Sequence, residues 1–128
     1  MRIEHVAFQV PDPGAAADWY GEHLGFVVKR SADAPVPVRF ITDDTGTAMI
    51  EIYNNPNAPM PDYASMDPLL LHVALVSHDI AGDRQRLIDA GATPVDDITR
   101  TPAGDEVAML RDPWHVPIQL CQRAEPML

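Results

Sequence analysis

Two stretches of this chain alternate apolar and polar positions and carry a histidine at the same place. They are "IEHVAFQV", residues 3–10, and "LLHVALVS", residues 70–77. Such alternation predicts strands whose successive side chains point to opposite faces. Seven residues past each histidine stands an aspartate, Asp12 and Asp79, placed to cap a helix by accepting from its free backbone N–H groups. After Asp12, Pro13 suits the first helical position. This helix runs through "GAAADWYGEHL" to a stop at Gly25, with Ala16, Trp19, Tyr20 and Leu24 on one face. After Asp79 the helix "IAGDRQRLIDA" stops at Gly91, with an apolar stripe of Ile80, Leu87 and Ile88 and with Arg84 and Arg86 toward solvent.

Three strand candidates follow each helix: "FVVKR", "PVRFIT" and "TAMIEIY" in the first half, "TPVDDI", "EVAML" and "VPIQLC" in the second. The turn signals "DDTG" and "RDPW" introduce the last strand of each half. The spacing between copies barely changes from His5 to His72, Asp12 to Asp79, Asp44 to Asp112 and Glu51 to Gln119. The pattern therefore predicts an internal repeat: an α+β fold of two βαβββ modules in one domain over 1–128, module one over about 1–54 and module two over about 69–123. Between them "NNPNAPMPDYASMDP", residues 54–68, is a linker by its Pro and Asn content. It is also long enough to lid a site, where Met60 and Tyr63 would cover a ligand.

Strand parity sorts the side chains. His5 shares a face with Ile3, Ala7 and Gln9; Glu51 with Met49 and Tyr53; His72 with Leu70, Ala74 and Val76; Gln119 with Pro117 and Cys121. The opposite faces hold only apolar residues (Val6, Phe8, Val10; Ile50, Ile52; Val73, Leu75; Ile118, Leu120) and are expected to pack on the helices. The mixed face points to a lined cavity. If a pseudo-twofold axis relates the modules, His5, His72, Glu51 and Gln119 face one another, and two imidazoles, a carboxylate and an amide oxygen make a site for a divalent metal. Singly, each has a plainer role: a strand histidine is more often hydrogen-bonded core or surface, and Glu51 alone is an exposed strand carboxylate.

Composition narrows the partners. With 46% hydrophobic residues the chain can bury an ordinary core, while a net charge of −10 and a pI near 4.6 disfavour nucleic acid and anionic membranes. A single cysteine, Cys121, cannot form an internal disulfide; no apolar run is long enough to span a bilayer, and the N-terminus does not read as a signal peptide. The expectation is a soluble, cytoplasmic protein.

"IEHVAFQVPDPGAAADWYGEHLGF", "AMIEIYNN", "LLHVALV" and "RDPWHVPIQL" resemble the vicinal oxygen chelate superfamily: glyoxalase I, extradiol dioxygenases, methylmalonyl-CoA epimerase, fosfomycin-modifying enzymes and bleomycin-resistance proteins. The resemblance covers essentially the whole chain. It implies paired βαβββ modules forming a cupped sheet, often completed in a homodimer whose site uses both subunits. It also implies a divalent ion (Zn, Ni, Fe or Mn) at His5, Glu51, His72 and the Gln119 position, with a small-molecule substrate bound through adjacent oxygens. Three of these match the bacterial glyoxalase I arrangement. Gln119 departs from it, because that arrangement has a glutamate there serving as ligand and base. An amide can coordinate through oxygen but cannot take and return a proton near neutral pH. Among the four, Glu51 is the candidate base, and Gln119 a weak fourth ligand or a hydrogen-bond donor. The expected function is a glyoxalase-type lyase or isomerase. The alternatives are an extradiol-type dioxygenase, which by resemblance takes its glutamate from the position of Gln119, and a non-catalytic antibiotic-binding protein. Of the remaining polar groups, Tyr53, Asn54 and Asn55 are substrate-contact candidates or a plain turn. Cys121 is taken as a small buried hydrophobe, and His115, in a turn where family members usually place glycine, as exposed.

Overall fold

The computed structural model describes residues 1–127 and divides into two compact units, Met1–Pro61 and Asp62–Leu128. Unit one contains β1 (His5–Gln9), α1 (Pro13–Leu24), β2 (Val27–Ala32), β3 (Val38–Thr42) and β4 (Met49–Tyr53). Its four-stranded sheet has the order β1-β4-β3-β2, with β1 parallel to β4 and the other pairs antiparallel. Unit two contains β5 (Val73–Val76), α2 (Ile80–Asp89), β6 (Thr93–Pro94), β7 (Thr99–Arg100), β8 (Glu106–Arg111) and β9 (Pro117–Gln122). Its order is β5-β9-β8-β6, with β7 also on β8 and β5 parallel to β9. The fold is mixed α+β, and the repeat extends to register: Ala7 lies opposite Glu51 in one unit, and Ala74 opposite Gln119 in the other.

Both helices start as the sequence predicts. Asp12 accepts from Ala15 N–H and Asp79 from Gly82 N–H, each at 3.0 Å, satisfying a backbone donor that has no partner inside the helix. Helix α1 ends at Gly25, whose φ of 75° is the left-handed value glycine adopts without cost. It buries Ala16, Trp19 and Tyr20, and also Pro13 and Ala17, while Leu24 is only half-buried. Helix α2 buries Ile80 and Leu87.

Three expectations need revision. The apolar strand faces are not uniformly covered: Phe8, Val10, Ile52, Ile118 and Leu120 are buried, but Val6 is 56% exposed. The reason is geometric, since α1 packs chiefly over β3 and β4 and α2 over β8 and β9, away from the edge strands β1 and β5. "TPVDDI" does not form one strand. Asp96 Oδ1 accepts Met109 N–H at 2.7 Å, so a side chain replaces the ladder carbonyl; only β6 forms within the stretch, and pairing with β8 resumes after it at β7. Arg84 is not simply solvated either: its guanidinium reaches Asp96 O at 2.8 Å and Asp97 at 3.3 Å, tying α2 to that break.

Candidate functional site

In unit one the parallel pairing of β1 and β4 sets His5 opposite Met49 and Ala7 opposite Glu51, so His5 and Glu51 lie diagonally on one face. Their side chains meet, His5 Nε2 to Glu51 Oε2 at 3.3 Å, with Glu51 half-buried and His5 exposed. Phe40, opposite Glu51 on β3, packs edge-on against the His5 ring at 5.6 Å between centroids. The other ring nitrogen, Nδ1, contacts the Glu4 carboxylate. That hydrogen bond is the main cause holding the His5 pKa above its usual value; partial desolvation opposes it, and the charges of Glu4 and Glu51 add to it.

The donor spacing fits a shared cation. Two donors each about 2.1 Å from one ion stand about 3.0–3.4 Å apart at angles of about 90–110°, and the observed 3.3 Å falls in that range. His5 and Glu51 are therefore close enough to supply two adjacent ligands.

In unit two His72 lies just before β5 rather than within it. Its Nδ1 is 3.2 Å from the Pro68 carbonyl oxygen. An imidazole nitrogen facing a carbonyl must carry the proton, so the neutral ring presents Nε2 as its lone pair. Gln119, on β9 opposite Ala74, is half-buried and its Oε1 accepts from the Cys121 thiol at 3.3 Å. Cys121 is buried, and that burial pushes its thiol pKa up, as befits an inert small hydrophobe. Unit one thus brings His5 and Glu51 together, and unit two brings Gln119 to Cys121. Among the described residues, no three His, Cys, Asp or Glu side chains gather into a metal-sized group.

The other candidates are accounted for locally. Asn54 Nδ2 donates to Pro11 O at 2.9 Å, and the Asn55 side chain closes its own turn on Asn57 N–H at 3.0 Å. His115 is exposed and takes a φ of 68°, the left-handed conformation that Gly46 (φ 63°) adopts in the turn of unit one. Asp112 makes this tolerable: its buried carboxylate accepts Trp114 N–H at 2.9 Å and Val116 N–H at 2.8 Å, fixing the turn on both sides.

Two residues without an assigned role prove to anchor the segment between the modules. Gln9 donates through Nε2 to Pro59 O at 3.0 Å and accepts Asn55 N–H at 2.7 Å, holding its first part on unit one. Arg111 donates to Tyr63 O at 2.5 Å and Met66 O at 2.7 Å, holding its last part on unit two. Both sit on the same strand faces as the site candidates, which is the signal that could have found them. Unit two also has a cleft of about 770 Å³ at the ends of β5 and β9, lined in part by Leu75, Val76, Cys121, Arg123 and Met127.

Comparison with known families supplies the name for this architecture. The model described as the Glyoxalase/Bleomycin resistance protein/Dioxygenase superfamily matches residues 2–120. The chain belongs to this superfamily. Comparison with curated proteins gave no match. Among solved structures, a glyoxalase family protein from Bacillus cereus is similar with a TM-score of 0.80 and 18% identity, over 95% of this chain and 93% of that one. TnmS3, an antibiotic binding protein from Streptomyces sp. CB03234, superposes with a TM-score of 0.74 and 22% identity over 97% of both chains. A glyoxalase I variant from Zea mays gives a TM-score of 0.75 and 21% identity, over 97% of this chain and 46% of that one. At these identities the likeness is one of fold. Among the described residues no helix is long and apolar enough to cross a membrane.

Proposed function

We propose that this superfamily member is a metal-dependent enzyme acting on a small substrate through two adjacent oxygens, as a glyoxalase-type lyase or isomerase. His5, Glu51 and His72 would hold the divalent ion. The observation that carries this is the 3.3 Å approach of His5 Nε2 to Glu51 Oε2 on neighbouring parallel strands. The Pro68 carbonyl facing His72 Nδ1 supports it, since a proton held there leaves Nε2 as the nitrogen with the lone pair. When bound, such an ion supplies Lewis acidity toward the substrate's oxygens.

The chain's own residues divide the remaining work. Glu51 is the one carboxylate among the four positions; with Oε2 toward His5, its Oε1 would take a proton from the carbon beside the substrate's carbonyl and return it to the former carbonyl carbon. Gln119 cannot share that task. The Cys121 thiol already donates to its Oε1, so its amide N–H groups are the part to offer a substrate oxygen. This makes Gln119 a binding group in preference to a fourth ligand. A ring-cleaving dioxygenase is disfavoured, because the resemblance puts its glutamate where this chain has Gln119. The two modules would act as one domain, completed in a homodimer.

A non-catalytic binding protein is the second reading, favoured by the cleft of about 770 Å³ in unit two. That volume suits a drug-sized molecule. The two readings separate on turnover. Protein loaded with Ni²⁺ or Zn²⁺ is expected to isomerise 2-ketoaldehyde adducts of thiols, and Glu51→Gln to abolish this. Equal turnover with and without Glu51 would contradict the role given to that carboxylate, while no turnover of any ketoaldehyde adduct together with tight binding of apolar ligands to metal-free protein supports the binding reading.

A further inference from the structure

Arg111 ends β8 on the same face as Gln119, and its guanidinium turns to backbone carbonyls. It donates to three of them: Tyr63 at 2.5 Å, Met66 at 2.7 Å and His115 at 3.2 Å. The first two belong to a segment that is itself tightly knit. Ser65 N–H and Met66 N–H both donate to Asp62 O, and the Ser65 hydroxyl donates to the Asp62 carboxylate at 2.7 Å. One residue past Met66 begins the turn Asp67–Leu70, closed by Leu70 N–H to Asp67 O at 3.0 Å, with Pro68 at the position whose φ the ring pre-sets. The Pro68 carbonyl is the group that faces His72 Nδ1. A continuous set of contacts therefore runs from the guanidinium, through a short hydrogen-bonded segment, to the ring of a candidate ligand.

We propose that Arg111 is a positioning residue for the metal site, clamping residues 63–66 so that the Pro68 carbonyl holds His72 in its Nδ1-protonated form with Nε2 free to coordinate. The inference rests on the metal reading above for its purpose, though not for its geometry. An ammonium could reach one or two of these carbonyls, but not with the fixed fork that a guanidinium provides. Removing the clamp frees the segment, the carbonyl loses its place, and the ring is released to the other tautomer and to other rotamers. Outer partners of metal-bound histidines contribute about 10–100-fold to metal affinity.

The test is long-range ¹H–¹⁵N NMR of the metal-free protein at a pH where imidazoles are neutral, with His72 assigned by comparison with His72→Gln, alongside Ni²⁺ titration. Wild type is expected to show His72 protonated on Nδ1. Arg111→Met is expected to shift the ring toward the Nε2-protonated form and to weaken Ni²⁺ binding about 10–100-fold, with Arg111→Lys falling between. A His72 protonated on Nε2 in wild type overturns the inference with no variant needed, which covers the case in which Arg111→Met does not fold. Unchanged tautomer and unchanged affinity in Arg111→Met overturn it as well. If wild type binds no metal, the proposed function fails, and the tautomer measurement still decides what Arg111 does.

Discussion

The two modules repeat one backbone and fill it with different chemistry. Beneath the first turn of α1, unit one places Val10 and Ala16, both fully buried. At the matching place in unit two stand Ser77 and Asp83, joined by a 2.6 Å hydrogen bond, with Ser77 also accepting Asp79 N–H. The backbone does not notice the exchange: Val10 N–H donates to Tyr53 O in one unit, and Ser77 N–H to Cys121 O in the other. The site strands behave alike, holding His5 against Glu51 in unit one and Gln119 against Cys121 in unit two. Strand pairing and helix caps are satisfied by backbone and Asp, so a duplicated module can change its side chains wherever each change brings its own partner.

Exchanging the two site chemistries has the largest expected effect. Glu51→Gln gives unit one the amide of unit two and is expected to lower kcat on the order of 10²–10⁴-fold, the usual contribution of a general base. Gln119→Glu restores the second carboxylate that the family resemblance leads one to expect. It is expected to raise turnover of the methylglyoxal–glutathione hemithioacetal by about 10²-fold. Steady-state kinetics on metal-loaded protein reads both, and a gain in the second variant marks the natural amide as suited to another adduct of the same class.

Next comes the half-buried Ser77–Asp83 pair. Ser77→Val alone leaves Asp83 without its short hydrogen bond and is expected to cost about 1–3 kcal/mol in chemical denaturation. Ser77→Val combined with Asp83→Ala copies unit one and is expected to recover most of that loss. The pH dependence has a definite sign. Burial works to raise the Asp83 pKa, but hydrogen bonds from Ser77 and Arg86 outweigh it and leave the carboxylate below its ordinary value. A group lowered on folding adds stability above its unfolded pKa, and that stability is lost as pH falls through the folded value. The contribution of this carboxylate to stability is thus expected to fade only as pH falls below its ordinary range, and in Ser77→Val to fade at higher pH.

The smallest effect separates the caps. Ala15 and Gly82 are the residues whose N–H groups Asp12 and Asp79 accept. A methyl group at Gly82 would run into the Asp79 carboxylate. Gly82→Ala should therefore fail to give the gain of about 1 kcal/mol that helix propensity alone would bring, as thermal denaturation would show.

Much of this was legible in the chain because it depends on periodicity and caps. His5, Asp12, Gly25 and Glu51 fall where alternation, capping and turn rules put them; in the second half the cap Asp79 and Gln119 do so too, but His72 falls just before its strand. What escaped depends on side chains that take over backbone roles. Asp96 replaces a ladder carbonyl and cuts a strand short, Arg84 leaves the solvent to reach it, and Arg111 and Gln9 spend their donors on carbonyls distant in sequence. Such bonds leave no local pattern. Val6 escaped for another reason, since alternation tells which face a residue takes but not how far a helix extends over that face.

The central claim is that His5, Glu51 and His72 together hold a divalent ion. Elemental analysis of the protein as purified, and of His5→Ala and His72→Ala, tests it most directly. The account predicts about one divalent ion per chain in wild type, in line with a catalytic site of three protein ligands, and its loss in each variant. Absence of stoichiometric metal after loading, or metal retained by both variants, would contradict it.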